Sequence, residues 1–302
     1  MKTRILTSIL GLTAVILLSG CVTGSIPGYY GHGYIPEPTI GDVVDAVNTI
    51  APALMPMSEA EEIAIGKAIA AEVAGRYGVV RDSTLTRYVN LVGKTVAKKS
   101  DRPDLDYHFA VLDTDIINSY ACPGGYIFIT RGALDAMSSE AELAAVLAHE
   151  VAHVAKKHIV KEIEHKEFLE AGGTAAANYL DADPRIFNMA TSHGTELLFK
   201  GLSRADEYQA DKYGITYAGD AGYDAEGLVS FLEVLKDTAE SDAPEGVSML
   251  FATHPDIDNR IDRAGAVITS KGYGDTEGKV LSERFSLYTG SMSPSGTGMY
   301  GP

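Results

Sequence analysis

The stretch "LAAVLAHEVAHVAKKH", residues 143–158, decides how the rest of the chain is read. It is small and apolar (Ala144, Ala145, Val146, Ala148, Val151, Ala152) except for two histidines and the glutamate beside the first. Ser139 followed three residues later by Glu142 predicts a capping box, opening one long helix that ends around Gly172 and Gly173. His149 and His153 are four apart, about 40° around a helix, so both imidazoles leave the same face. Two nitrogens so placed can reach one Zn²⁺, and Glu150 between them can take a proton from an attacking water. Burying this trio in an apolar stripe is unfavourable unless something pairs it, and zinc would.

A catalytic zinc takes three protein ligands and leaves one position open. "SRADEYQADKYG", residues 203–214, supplies a third: Glu207 and Asp211 are again four apart on a segment of good helix formers. Glu207 is expected to complete the ligand set. Asp211, one turn on, is expected to accept the other ring N–H of a liganding histidine and so fix its tautomer. His158 lies nine residues after His149, about 180° around a continuous helix, which predicts a structural or surface role. His165 and His193 lack ligand-like spacing, His32 falls in a linker, and His108 reads as a strand-face residue. Cys122 has no His–Asp constellation tied to it by spacing and reads as a buried small residue.

"HEVAH", "SRADEYQAD" and "THPDIDNRI" in this order, with "NSYACPGG" ahead of them, resemble the metallopeptidase family of HtpX and the CAAX prenyl endopeptidases, peptidase family M48, of the gluzincin type. The resemblance runs from about Met57 to Val267. It implies a zincin-like domain with one Zn²⁺ per chain on His149, His153 and Glu207, Glu150 as base, and Asp211 behind the ligands. It also places His254 near the zinc, as a stabiliser of the oxyanion or as an inhibitory extra ligand. Pro255 stiffens that turn and Asp256 can cap the next helix. Arg260, one turn into that helix, can bind a carboxylate near the site or a surface acid. The fold class expected is α+β, predominantly helical, with a small β-sheet beside the HExxH helix.

The first twenty of the 302 residues read as a secretory signal: Lys2 and Arg4, an apolar run from Ile5 to Leu18, then Ser19 and Gly20. "LLSGC" resembles the lipobox of bacterial lipoproteins, which implies cleavage before Cys21 and lipidation there. Val22, rather than an aspartate, resembles the outer-membrane-sorted type facing the periplasm; another leaflet outside the cytoplasm is the alternative. With Cys21 acylated, Cys122 has no intrachain partner and the domain stands on its core. No later segment offers eighteen consecutive apolar residues. The resemblance is therefore to the periplasmic lipoprotein branch of the family.

Residues 21–56 read as a lipidated tether rich in Gly, Pro and Tyr, 57–284 as the metallopeptidase domain, and 285–302 as a flexible tail. Helices are expected from Ser58 (capping box with Glu61), from Asp82, and at roughly 194–217, 224–239 and 256–269. Between them, Tyr107, Phe109 and Val111 alternate, Pro-Gly-Gly breaks the run at 123–125, and Tyr126–Thr130 is a second β-rich segment. With 45% hydrophobic and 22% charged residues the chain has an ordinary globular balance. Its formal net charge of −16 argues against a nucleic-acid binder, which needs a basic surface.

The reaction expected is peptide hydrolysis. The strand at Tyr126–Thr130 is expected to offer its edge to an extended peptide, with Asn118, Gly124, Gly125 and Arg260 at the substrate rim. Extended binding favours unfolded or misfolded envelope proteins as substrates, hence quality control. The rival expectation is a zinc-containing, chaperone-like assembly lipoprotein that binds clients without cutting.

Overall fold

Ser139 starts the helix on which the whole domain is built. In the computed structural model, which describes residues 56–170, 184–240, 252–275 and 277–290, every residue from Glu140 to Val154 of this helix is buried. A helix that is apolar all round has no solvent face and belongs at the centre. The elements, in order, are α1 (Glu59–Tyr77), α2 (Ser83–Ala97), β1 (His108–Leu112), β2 (Ser119–Cys122), a 3₁₀ turn (Pro123–Gly125) and β3 (Tyr126–Thr130). There follow α3 (Arg131–Asp135), α4 (Glu140–Ala155), α5 (His158–Glu170), α6 (Pro184–Lys200), α7 (Arg204–Asp220), α8 (Gly227–Glu240), α9 (Ile257–Lys271) and α10 (Ser282–Thr289). The architecture is α+β and predominantly helical, as the sequence predicts.

The helix starts behave as the sequence requires, with two exceptions. Ser58 and Glu61 form the reciprocal capping box, and Asp82 accepts from the amides of Thr84 and Leu85. Ser139 Oγ accepts from the Glu142 amide at 3.2 Å, but the Glu142 carboxylate turns to Ser138, at 2.7 Å from both its N and Oγ. Only half a capping box forms there. Asp256 does not cap α9; it sits at φ 71° and its carboxylate accepts from Tyr208 and Asn259.

The sheet differs from the expected strand–turn–strand. It has three strands in the order β1-β3-β2, with β1 parallel to β3 and β2 antiparallel to it. Tyr126–Thr130 is therefore the central strand, paired on both sides, with no free edge for a peptide. Ser119–Cys122, only four residues long and without an alternating pattern, is an edge strand instead. It packs against α4, and all four of its residues are buried.

Three helical expectations also change. The long helix from Ser139 breaks after Ala155: Lys157 adopts φ 59° and α5 starts at His158. The expected helix at 194–217 is two helices, split around Gly201, whose φ is 89° and whose missing Cβ would lie 2.5 Å from Thr253 O. Finally, α10 crosses the expected tail boundary at 285, and Phe285 is buried in the core. Gly172, Gly173, His32, Cys21 and residues 1–55 lie outside the described residues. Among the described residues, no helix is long and apolar enough to cross a membrane.

Candidate metal centre and active site

Helix α7 crosses α4 closely at the histidine pair. Gly214 makes the crossing possible: a Cβ there would sit 2.9 Å from both Cα and N of His149. The close approach carries Glu207 and Asp211 onto the imidazoles. His149 Nε2 and His153 Nε2 stand 2.9 Å apart, and each lies 3.5 Å from an oxygen of Glu207. The other nitrogen of His149 lies 2.9 Å from Asp211 Oδ1.

The turn after residue 251 adds His254. Its Nδ1 is 2.9 Å from Glu207 Oε2 and its Nε2 is 4.0 Å from Glu150 Oε1. His149, His153, Glu207 and His254 thus offer ligand atoms that all lie within 4.8 Å of one another. Two imidazoles and a carboxylate suit a divalent transition metal. The fit is sharpened by Glu207 Oε1, a buried oxygen without a hydrogen-bond partner. The structure brings together His149, Glu150, His153, Glu207, Asp211 and His254, drawn from three separate parts of the chain.

Charge balance at this centre comes from a cation. Arg260, 3% exposed, donates Nε and Nη2 to the two oxygens of Asp211 at 2.8 and 2.7 Å. Its Nη1 lies 3.2 Å from Glu207 Oε2. Arg260 is therefore neither a substrate rim residue nor a partner of a surface acid; it holds the carboxylates that face His149. Burial pushes both carboxylates toward protonation, but His254 and Arg260 hold Glu207 well below the usual range and Arg260 holds Asp211 down. Burial alone would lower the His149 pKa, yet the Asp211 and Glu207 carboxylates that face its ring nitrogens outweigh it and raise it to about 9. His153 moves the opposite way, well below the ordinary value, through burial and the neighbouring charge of His149.

Glu150 is held from the sheet. Ser119 Oγ on β2 donates to its Oε1 at 2.7 Å in a buried setting. Asn118 Oδ1 accepts from the Ser119 amide at 2.9 Å and from Thr253 Oγ1 at 3.3 Å, which ties the edge strand to the turn bearing His254. Asn118 is thus a buried brace rather than a rim residue. Gly124 and Gly125 are not at the rim either. With φ of 71° and 94° they turn the chain beneath α1, where the Gly124 amide donates to Glu62. The hollow beside Glu150 is lined by Ser119, Tyr120, Ala121, Leu197, Leu202 and His254 among others.

Sequence reasoning missed Ser119, Thr253 and His158. His158 Nδ1 is 2.9 Å from His153 Nδ1, because the break at Lys157 turns the chain back toward the centre. Cys122 is fully buried, and burial pushes its thiol pKa up, so it is inert. His108 is exposed and stacks on Tyr126, while His193 contacts Lys166 and Glu196 away from the centre.

A histidine pair and a glutamate on one buried helix, a second glutamate from α7, and a small sheet alongside define a metallopeptidase of the zincin type. The family model for Peptidase family M48 matches residues 83–267, and the chain belongs to that family. The chain is 27% identical over 264 residues to the Beta-barrel assembly-enhancing protease of Yersinia pestis, covering 84% of this chain and 52% of that protein. It is 27% identical over 240 residues to the protein of that name from Escherichia coli (strain K12), covering 74% and 48%. The Mitochondrial metalloendopeptidase OMA1 of Schizosaccharomyces pombe is 32% identical over 177 residues, covering 58% and 51%. The chain thus spans about half the length of these curated relatives.

Proposed function

We propose that this chain is a zinc-dependent endopeptidase, tethered by lipid on Cys21 to the periplasmic side of the outer membrane, that cuts unfolded or misassembled envelope proteins. The observation that carries the reading is the placement of Glu150: one oxygen is fixed by Ser119, and its helix neighbours His149 and His153 converge with Glu207. His149, His153 and Glu207 would hold the zinc, which when bound supplies Lewis-acid polarisation of the scissile carbonyl and activation of water. Glu150 takes the proton from the attacking water and delivers it to the leaving amine. Asp211, itself clamped by Arg260, orients His149.

An extended peptide adds alongside β2, the edge strand next to Glu150, rather than alongside β3. Because β2 is covered, the Thr253–His254 turn and the α6–α7 connection must give way for the peptide to enter. A chain opened by misfolding meets that demand, a folded one does not. The names of the Yersinia and Escherichia relatives, assembly-enhancing proteases for β-barrels, favour envelope proteins as the substrate class.

The second reading, a client-binding assembly factor that does not cut, is favoured by His254, which stands among the ligands and covers Glu150. Casein and an unfolded envelope protein, each given to the mature chain and to His254→Ala with and without chelator, separate the two. Chelator-sensitive fragments from either substrate support the peptidase. Binding without fragments, even by His254→Ala, supports the assembly factor.

A further inference from the structure

The break in the motif helix has a chemical result. Continued without interruption, α4 would carry residue 158 about 140° away from His153. Instead the helix stops at Ala155, and Lys157 takes a left-handed conformation that a side chain with a Cβ disfavours. A buried anchor holds it there: Lys157 Nζ lies 3.1 Å from Glu62 Oε2, and Glu62 is itself fixed by Arg102 and the Gly124 amide. The strained turn delivers His158, 1% exposed, onto His153.

We infer that His158 is a positioning residue for the metal: it fixes the ring and tautomer of His153 as Asp211 does for His149. The hydrogen positions follow in one sense only. His153 needs the Nε2 lone pair for the metal, so its proton is on Nδ1 and is donated to His158 Nδ1, 2.9 Å away. His158 Nδ1 must then accept, so its own proton is on Nε2, where it is donated to Gln209 Oε1 at 3.0 Å. Helix α7 therefore serves both imidazoles at two-residue spacing: Glu207 to the metal, Asp211 to His149, and Gln209 to His153 through His158.

The inference rests on His153 being a ligand, and the test separates the two. Zinc affinity is measured on metal-stripped full-length protein by competition with a chromogenic chelator, together with the visible spectrum of the Co²⁺-loaded form. His158→Leu should bind zinc about 10–100-fold more weakly, the range for losing a partner behind a metal ligand. His158→Asn, whose Oδ1 can stand where Nδ1 stood, should stay within about threefold of wild type. Gln209→Leu, which touches neither ligand and tests the relay should His158→Leu fail to fold, should bind more weakly than wild type and shift the Co²⁺ bands. Wild-type affinity in His158→Leu, equal weakness in the Asn and Leu variants, or no effect of Gln209→Leu would overturn the role of His158. Failure of the wild type itself to bind zinc would instead overturn the ligand assignment on which it stands.

Discussion

Ser119 and Glu150 are joined by a 2.7 Å hydrogen bond that runs from the edge strand to the motif helix. Ser119 lies on the strand along which a peptide is proposed to add, and Glu150 is the proposed base. Under that proposal docking and proton transfer share one contact, whose geometry is set before a substrate arrives.

Removing that contact should impair the chemistry and spare the metal. Ser119→Ala leaves Glu150 without its buried donor, a loss of about 1–1.5 kcal/mol, so kcat should fall roughly tenfold. Steady-state kinetics on an unfolded substrate should show KM and zinc stoichiometry unchanged. A parallel loss of zinc would mean that Ser119 supports the fold of the centre rather than the base.

Arg260 neutralises two buried carboxylates at once. Arg260→Met leaves Asp211 and Glu207 as uncompensated buried charge and should destabilise the metal-free protein by about 3–5 kcal/mol. Urea unfolding, monitored by circular dichroism, measures it. A change below about 1 kcal/mol would show that the pair relaxes into solvent.

The approach of α7 to α4 depends on Gly214. Gly214→Ala places a methyl group 2.9 Å from the backbone of His149 and should destabilise the fold by about 1–3 kcal/mol, as overpacking does. Because the same helix carries Glu207, zinc affinity in a chelator competition should fall too. Unchanged affinity with lowered stability would detach the helix spacing from the ligand geometry.

Much of this centre was readable from the chain because its parts are local. His149 with His153, and Glu207 with Asp211, are pairs one turn apart, and that spacing survives any tertiary arrangement. What was not readable depends on backbone turns without a residue signature. Lys157 carries a positive φ that lysine does not advertise, so helical periodicity runs straight through it and puts His158 on the far side. Strand β2 is four buried residues with no alternation, so its pattern does not mark it as a strand and β3 reads as an edge. Arg260 could be placed near a carboxylate but not assigned to one, since its partner is 49 residues away.

His254 separates a restrained enzyme from an unrestrained one. Its Nδ1 contacts Glu207 and its Nε2 approaches Glu150, so it stands between the proposed base and a proposed ligand. His254→Ala should raise basal cleavage of casein while three ligands retain the zinc. A fall in kcat with zinc retained would make His254 a donor to the transition state instead.

Glu150 is proposed to perform chemistry at a metal that other residues hold. Zinc content and chelator-sensitive cleavage of unfolded casein, measured side by side for wild type and Glu150→Gln, test it most directly. About one zinc per chain is expected in both proteins, since three ligands are retained, with cleavage by the wild type alone. Cleavage by Glu150→Gln at the wild-type rate would contradict it.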